Sequence, residues 1–187
     1  MSQRIVWIAL AAVLVGILLA WVLTKGPSEV QTPTEPQVVE VMPTATPAPE
    51  QRIVLLFAGS DGMLHPELRI TALPERTDAR LRVVVTELLR GPSEGLAPVV
   101  PWEAELKAVF LDTEGYAFVD ITAPPEPLMG TSSEIMLCYG IVNSIILNCP
   151  ELKGVQLLFG GHEVETLTGH LDLSAPLHLN RSLIAAS

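Results

Sequence analysis

The 187-residue chain is poor in cysteine and in basic residues. Two cysteines are present, and 11 Lys and Arg residues stand against 21 Asp and Glu residues, so the net charge is −10. Residues 51–187 carry 9 basic and 17 acidic residues without a basic cluster. A nucleic-acid partner is therefore not expected, because phosphate binding needs clustered cations. A domain of this length can bury a core without disulfides or metals.

Catalytic signatures are also missing from the sequence. It contains no HExxH, Walker A, G-x-S-x-G or CxxC motif. Gly59–Gly62 indicates a turn rather than a phosphate loop, because no helix start with Lys-Ser/Thr follows it. We therefore expect a protein that is not an enzyme and has no catalytic residue, cofactor or metal. A hydrolase with a Glu and Asp pair is an alternative, because spacing alone cannot locate such a pair.

A single long apolar run lies near the amino terminus. Ile5–Leu23 is nineteen residues long and carries no charged side chain. As a helix it would measure roughly 28 Å, close to the hydrocarbon core of a bilayer. Trp7 and Trp21 stand near its ends, where indole rings favour the headgroup level. Residues 1–25 are predicted to form an uncleaved transmembrane anchor.

A cleavable signal peptide is the alternative to an anchor. Its apolar region would be about 7–15 residues long and would precede a small-x-small site. Trp21–Lys25 offers no such site, and no cysteine for a lipid anchor follows. Arg4 and the amino terminus put positive charge before the run, whereas Glu29 follows Lys25. This balance predicts the following domain outside the cytoplasmic membrane.

Proline marks a boundary between the apolar run and the rest of the chain. Six of the 25 residues in 26–50 are proline, which fixes φ and removes a backbone donor. We expect a disordered, extended linker that could reach about 75 Å. Residues 51–187 are then one domain, held away from the bilayer.

Alternating elements are predicted in that domain. A first helix is indicated by helical spacing of apolar residues over Asp78–Arg90. Thr77 is its predicted N-cap, and Gly91-Pro92 is its predicted stop. A second helix begins at a capping box, Thr131 with Glu134, and continues to about Leu147. The predicted strands are Arg52–Ala58, Leu68–Leu73, Glu105–Leu111, Tyr116–Ile121, Val155–Phe159 and Glu163–Leu167.

The order of these elements is β-β-α-β-β-α-β-β. It predicts an α+β fold, a mixed β-sheet covered on one face by two helices, after an N-terminal transmembrane helix. Cys138 and Cys149 would lie about 16 Å apart along a continuous helix, too far for a disulfide. We expect both thiols to be free and buried, with a disulfide only if the helix breaks early. Gly140 lowers helix propensity within this segment.

Short motifs in a fixed order suggest a family. Leu88–Pro92 is followed by Phe118–Ile121, by Glu134 at the start of the second helix, and by Val155–Gly161 and Gly169–Asp172. From about Arg52 to Leu177 the chain resembles the GerMN domain of sporulation and spore-germination proteins. The resemblance implies a fold like the small ring-building modules of envelope machines, on chains outside the cytoplasmic membrane. No catalytic residue of that family carries over.

Several motif positions are candidate site residues. His170 and Asp172 share one side of an extended segment, but a zinc site needs three or four converging ligands. A hydrogen-bonded loop that seals the sheet end is the favoured interpretation. For Glu134, the role of a helix cap is favoured over that of a catalytic acid. Trp102 could stack on a glycan, yet partial burial is favoured. The motif positions are Gly91, Pro92, Glu134, Gly169, His170 and Asp172.

The sequence as a whole predicts an extracytoplasmic interaction or scaffolding module on a single membrane helix. Its expected partners are the membrane, envelope proteins or further copies of itself, and the family resemblance implies a link to sporulation or germination. A module that binds peptidoglycan or a small ligand is the alternative, and an unrecognised hydrolase is a third.

Overall fold

The computed structural model describes residues 48–93, 95–125 and 131–186. The predicted anchor and almost all of the linker lie outside these residues. Within them, no helix has the length and apolarity to cross a membrane. The elements in chain order are β1 (Glu50–Ala58), β2 (Leu64–Ala72), α1 (Thr77–Leu89), β3 (Leu106–Leu111), β4 (Tyr116–Ile121), α2 (Thr131–Asn148), β5 (Gly154–Phe159) and a 3-10 turn at Arg181–Leu183.

The strands form two sheets rather than the single sheet that was predicted. β1 and β2 make an antiparallel hairpin, with Val54 opposite Leu68. β3 pairs antiparallel with β4, and β4 pairs parallel with β5, so the second sheet is mixed. The α+β class is confirmed, since two helices pack with these mixed strands.

Side chains of α2 explain why the sheets stay separate. Asn148 donates to the carbonyl of Val54 at 2.7 Å and accepts its N–H at 3.0 Å, while Ser144 Oγ accepts the N–H of Leu56 at 2.9 Å. These groups lie on the edge of β1 that faces away from β2. The helix thus occupies the hydrogen bonds that a neighbouring strand would need.

Helix α1 follows the predicted apolar stripe but starts differently. Leu81, Val84, Val85 and Leu88 are buried, as the spacing indicated. The N-cap is Arg76, which makes no side-chain cap, and Thr77 is the first helical residue. The prediction of Thr77 as N-cap was therefore wrong. Its hydroxyl donates to Glu151 at 2.7 Å instead, linking α1 to the segment after α2.

Helix α2 is the centre of the core and contacts β1, β5 and α1. It stays continuous through Gly140, where a Cβ would lie 2.6 Å from Val99 Cγ1. The low helix propensity of glycine is therefore outweighed by the close approach that its missing side chain allows. Cys138 and Cys149 are both free and buried, as predicted.

The last predicted strand, Glu163–Leu167, is not formed. After β5, Gly160 and Gly161 make the expected turn with φ of 62° and 82°. His162 then makes one isolated bridge with Phe159. The chain continues as a loop, because the N–H of Leu167 bonds to the Glu134 carboxylate instead of to a strand.

Candidate functional site

The 166–170 loop is wrapped around the carboxylate of Glu134. Oε1 accepts from Thr166 Oγ1 and the Leu167 N–H, both at 2.8 Å, and from the Thr168 N–H at 3.0 Å. Oε2 accepts from Thr168 Oγ1 and from the N–H of His170 at 3.2 Å. The Glu134 side chain has no exposed surface. These five bonds form what we call the Glu134 clamp.

The clamp determines the charge state of this carboxyl. Burial by itself would raise the pKa of Glu134, because it removes water from the ionised form. The hydrogen bonds from Thr168, Thr166 and Leu167 outweigh burial and lower the pKa from 4.5 to about 2. At neutral pH, Glu134 is therefore an anion with both oxygens occupied, which is unfavourable for a general acid.

The capping-box prediction for Glu134 needs correction. α2 begins at Thr131 itself, and the hydrogen bonds of Glu134 run to residues more than thirty positions later. A Thr-x-x-Glu pattern cannot distinguish a local cap from a distant loop, because both use the same acceptor atoms. Residues 166–170 do form a hydrogen-bonded loop, as the sequence favoured.

Gly169 and His170 belong to the loop that Glu134 holds, and Asp172 follows two residues later. Gly169 has φ of 91° and donates to Thr166 Oγ1 at 2.7 Å. His170 and Asp172 line an open cleft of about 510 Å³ with Glu165. Their side chains are exposed, and Ser174 lowers the pKa of Asp172 through two hydrogen bonds. Across the described ranges, no cluster of three or more His, Cys, Asp or Glu could hold a metal.

Gly91 and Pro92 belong to a different cluster, at the end of α1. Gly91 has φ of 82°, the left-handed conformation expected at a helix stop. Arg69 donates to the carbonyls of Glu87, at 2.7 Å, and of Gly91, where it meets the negative end of the helix dipole. Its partner Glu67, at 2.7 Å, accepts the N–H of Ser93. This arrangement fixes α1 to β2.

A second cavity, of about 330 Å³, lies between the β1–β2 turn and the start of α2. Ser60, Ser132 and Ser133 supply hydroxyls, and Val99, Met136 and Leu137 supply apolar surface. The described lining residues include no titratable side chain. They therefore offer no acid or base, although the space could hold a small neutral group.

The remaining candidates serve internal contacts. Burial raises the pKa of Cys138 and of Cys149 to about 12, with a smaller contribution from a nearby carboxylate in each case, so neither thiol ionises at neutral pH. Trp102 is half-buried, as predicted, and its indole N–H donates to the carbonyl of Thr122 at 3.1 Å.

One surface was missed by sequence reasoning. Alternate residues of β2 place apolar side chains in solvent, and Leu68 and Ile70 are 64% and 68% exposed. We call this set the β2 strip; its members are Pro66, Leu68, Ile70 and Ala72. The period-two pattern of Leu-His-Pro-Glu-Leu-Arg-Ile-Thr-Ala carried the signal. Burying the apolar positions is the usual interpretation of that pattern, and here it is reversed.

Fold and site together define a class. This is a small α+β module with a carboxylate-fixed loop, buried thiols and an exposed apolar strand. A family model described as Germane, "Sporulation and spore germination", matches residues 54–165. The chain therefore belongs to the Germane, or GerMN, family.

Two solved structures share the fold. One is a candidate lipoprotein from Clostridium perfringens, 20% identical, with a TM-score of 0.50 over 69% of this chain and 87% of that chain. The other contains the tandem GerMN domains of the sporulation protein GerM from Bacillus subtilis, 18% identical, with a TM-score of 0.52 over 70% of this chain. The match spans 46% of that tandem chain. No curated protein matches the sequence.

Proposed function

We propose that this chain is a non-enzymatic interaction module of the cell envelope, held outside the cytoplasmic membrane by residues 1–25. The main support for this proposal is the exposed β2 strip, because large apolar side chains in solvent mark surfaces that bind other proteins. Its role would be to assemble envelope proteins in sporulation or germination, in keeping with the family description.

The chemistry of the polar groups supports a binding role over catalysis. Glu134 is ionised and fully occupied, Arg69 is committed to α1, and both thiols are protonated at neutral pH. The likeness to a candidate lipoprotein from Clostridium perfringens is in keeping with an envelope location.

Site-specific photo-crosslinking in membranes tests this proposal. A photoreactive residue replaces Ile70 in the full chain, and a matched variant carries it at Phe110, which is apolar and 60% exposed on another sheet. We expect protein adducts from position 70 that position 110 does not give. The same pattern from both positions, or no adduct from either, would remove the support for the β2 strip as a binding surface.

Two further assays address the alternatives. Firm retention of the chain on purified peptidoglycan would favour a glycan-binding module. A hydrolase screen with Glu134→Gln and His170→Ala as controls addresses catalysis. Activity that disappears in a folded variant would contradict a non-enzymatic role.

A further inference from the structure

The outer edge of β2 can be deduced from the bonds of β1. Both backbone groups of Val54 bond to α2, so they point away from β2. In an antiparallel ladder, opposed residues of such a pair both direct their N–H and C=O outwards. Leu68, the partner of Val54, therefore presents its backbone groups on the free edge, and so do Pro66 and Ile70, two residues away on either side.

That edge has no strand beside it within the described residues. Among the residues that the structure describes, only the first position of this edge is engaged, since the carbonyl of Leu64 accepts the N–H of Ala185 at 2.9 Å. Over the next positions, hydrogen-bonding groups and the apolar β2 strip coincide. An exposed, apolar edge strand is a template for adding another strand.

We propose that a second copy of this chain pairs with β2 along this edge, antiparallel and about a two-fold axis, with Leu68 opposite Leu68. The inference rests on the interaction role proposed above. It makes the partner a second copy of the same strand, so that both β2 strips form one continuous apolar surface. A two-fold contact of this kind is self-complementary, since each copy supplies the same groups to the other.

Charge selects the register. Glu67 and Arg69 flank Leu68 on the face opposite the β2 strip, where they pair with each other at 2.7 Å. Pairing Leu68 with itself would keep this balance of charge, because it places Glu67 of each copy opposite Arg69 of the other. Shifting the pairing by two residues would put Arg69 opposite Arg69 in one direction, or Glu67 opposite Glu67 in the other. Like charges directly opposite one another destabilise a sheet, and opposite charges stabilise it.

Proline is accommodated in the same register. Pro66 lacks an N–H and can only accept a hydrogen bond on the free edge. Opposite it would stand Ile70 of the second copy, whose N–H can donate to the Pro66 carbonyl. Each interface would then contain two bonds between the Leu68 residues and two from Ile70 to Pro66.

Cysteine crosslinking of the full chain in membranes tests the register. Leu68→Cys places two thiols across the axis at a Cα separation of about 5.5 Å, within disulfide range. We expect mild oxidation to give about tenfold more covalent dimer than Ile70→Cys or Phe110→Cys, because neither residue would meet its own copy. The native thiols are buried and give a common background.

The outcomes separate this inference from the proposed function. A further sample mixes Leu68→Cys copies with Ile70→Cys copies. If these two variants crosslink to each other more than Leu68→Cys does to itself, the charge-selected register is overturned. Equal dimer from Leu68→Cys and Phe110→Cys, or dimer that persists when urea unfolds the chain before oxidation, would overturn the pairing. Photo-adducts at position 70 with another protein and no Leu68→Cys dimer would leave the interaction role standing with a different partner.

Discussion

At the scale of single residues, Glu134 does the most to organise the candidate site. One buried carboxylate receives five donors from a loop more than thirty residues away. The anion supplies the acceptors that a neighbouring strand would otherwise provide. Hydrogen bonds to a charged group are about twice as strong as neutral ones.

Replacing Glu134 by Gln should destabilise the domain by about 2–3 kcal/mol, since the amide offers one acceptor oxygen and turns two N–H groups towards existing donors. Urea unfolding of the variant, beside Glu163→Gln at an exposed position of the same loop region, measures the difference. Equal losses in the two variants would show that the clamp does not stabilise the fold.

The pH dependence of this contribution has a definite sign. The folded pKa of Glu134, about 2, lies below its unfolded value of 4.5, so the contribution is complete above pH 4.5 and declines as the pH falls towards 2. Its full size is about 3 kcal/mol at 1.36 kcal/mol per pKa unit. The stability gap between the parent chain and Glu134→Gln should therefore be constant near neutrality and close in acid. A gap that widens in acid would contradict the lowered pKa.

Gly91 is a second residue whose identity the backbone requires. With φ of 82°, it sits where a Cβ is strained, and β-branched side chains are strained most. Gly91→Val should cost about 2 kcal/mol, whereas Gly91→Asn should retain most of the stability because Asn tolerates this conformation. Thermal melting of both variants checks the assignment; identical melting temperatures for Val and Asn would be evidence against it.

At the scale of elements, α2 stabilises the fold through close approaches as well as apolar burial. Its polar residues Ser144 and Asn148 complete the backbone bonds of β1, and Asn143 bonds both ways with Asn180, at 2.8 Å each. Gly140 lets the chain at Val99 approach the helix axis. The largely apolar helix thus also makes a set of small and polar contacts.

Gly140→Ala compares two opposing effects: the higher helix propensity of alanine and the close packing of Val99 against α2 at this position. Propensity alone predicts a gain of about 1 kcal/mol, but the new Cβ would lie 2.6 Å from Val99 Cγ1 and 2.9 Å from its Cβ. We expect a net loss of roughly 1–2 kcal/mol. Combining it with Val99→Ala should recover part of that loss, and a double-mutant cycle should give a coupling of about 1 kcal/mol. Additive effects would mean that the two residues do not compete for space.

At the scale of the whole molecule, the proposal joins an anchor, a linker and one domain. The β2 strip can act on envelope partners only if the domain is outside the membrane and held near it. Both conditions depend on residues 1–25, whose apolar length and flanking charges are read from sequence.

Cell fractionation checks the anchor. The full chain should sediment with membranes, require detergent for release and keep its original amino terminus, because nineteen apolar residues match the bilayer core. Deleting residues 1–25 should move the chain to the soluble fraction. A mature protein recovered in the soluble fraction and beginning near residue 26 would instead indicate a cleaved signal peptide.

Much of the fold was predictable because its signals are local. Short apolar runs bounded by turns placed β1 and β5, a hairpin signal placed β3 and β4, and helical spacing placed α1. The predicted position of Thr77 was wrong by one residue, because a hydroxyl near a helix start can cap it or, as here, bond to distant Glu151. The prediction of a strand at Glu163–Leu167 was wrong: the N–H of Leu167 donates to the Glu134 carboxylate rather than to a neighbouring strand.

By itself, the amino-acid sequence determined the order of the elements from β1 to β5, the family, and the free, buried state of both cysteines, since periodicity, turn residues and spacing are properties of neighbouring positions. Only the tertiary structure decided that the strands form two sheets, that Glu134 holds a loop rather than a cap, and that β2 exposes its apolar side. Each depends on which residues, distant in sequence, supply the hydrogen-bond partner of a given backbone or carboxylate group. No local pattern along the chain contains that information.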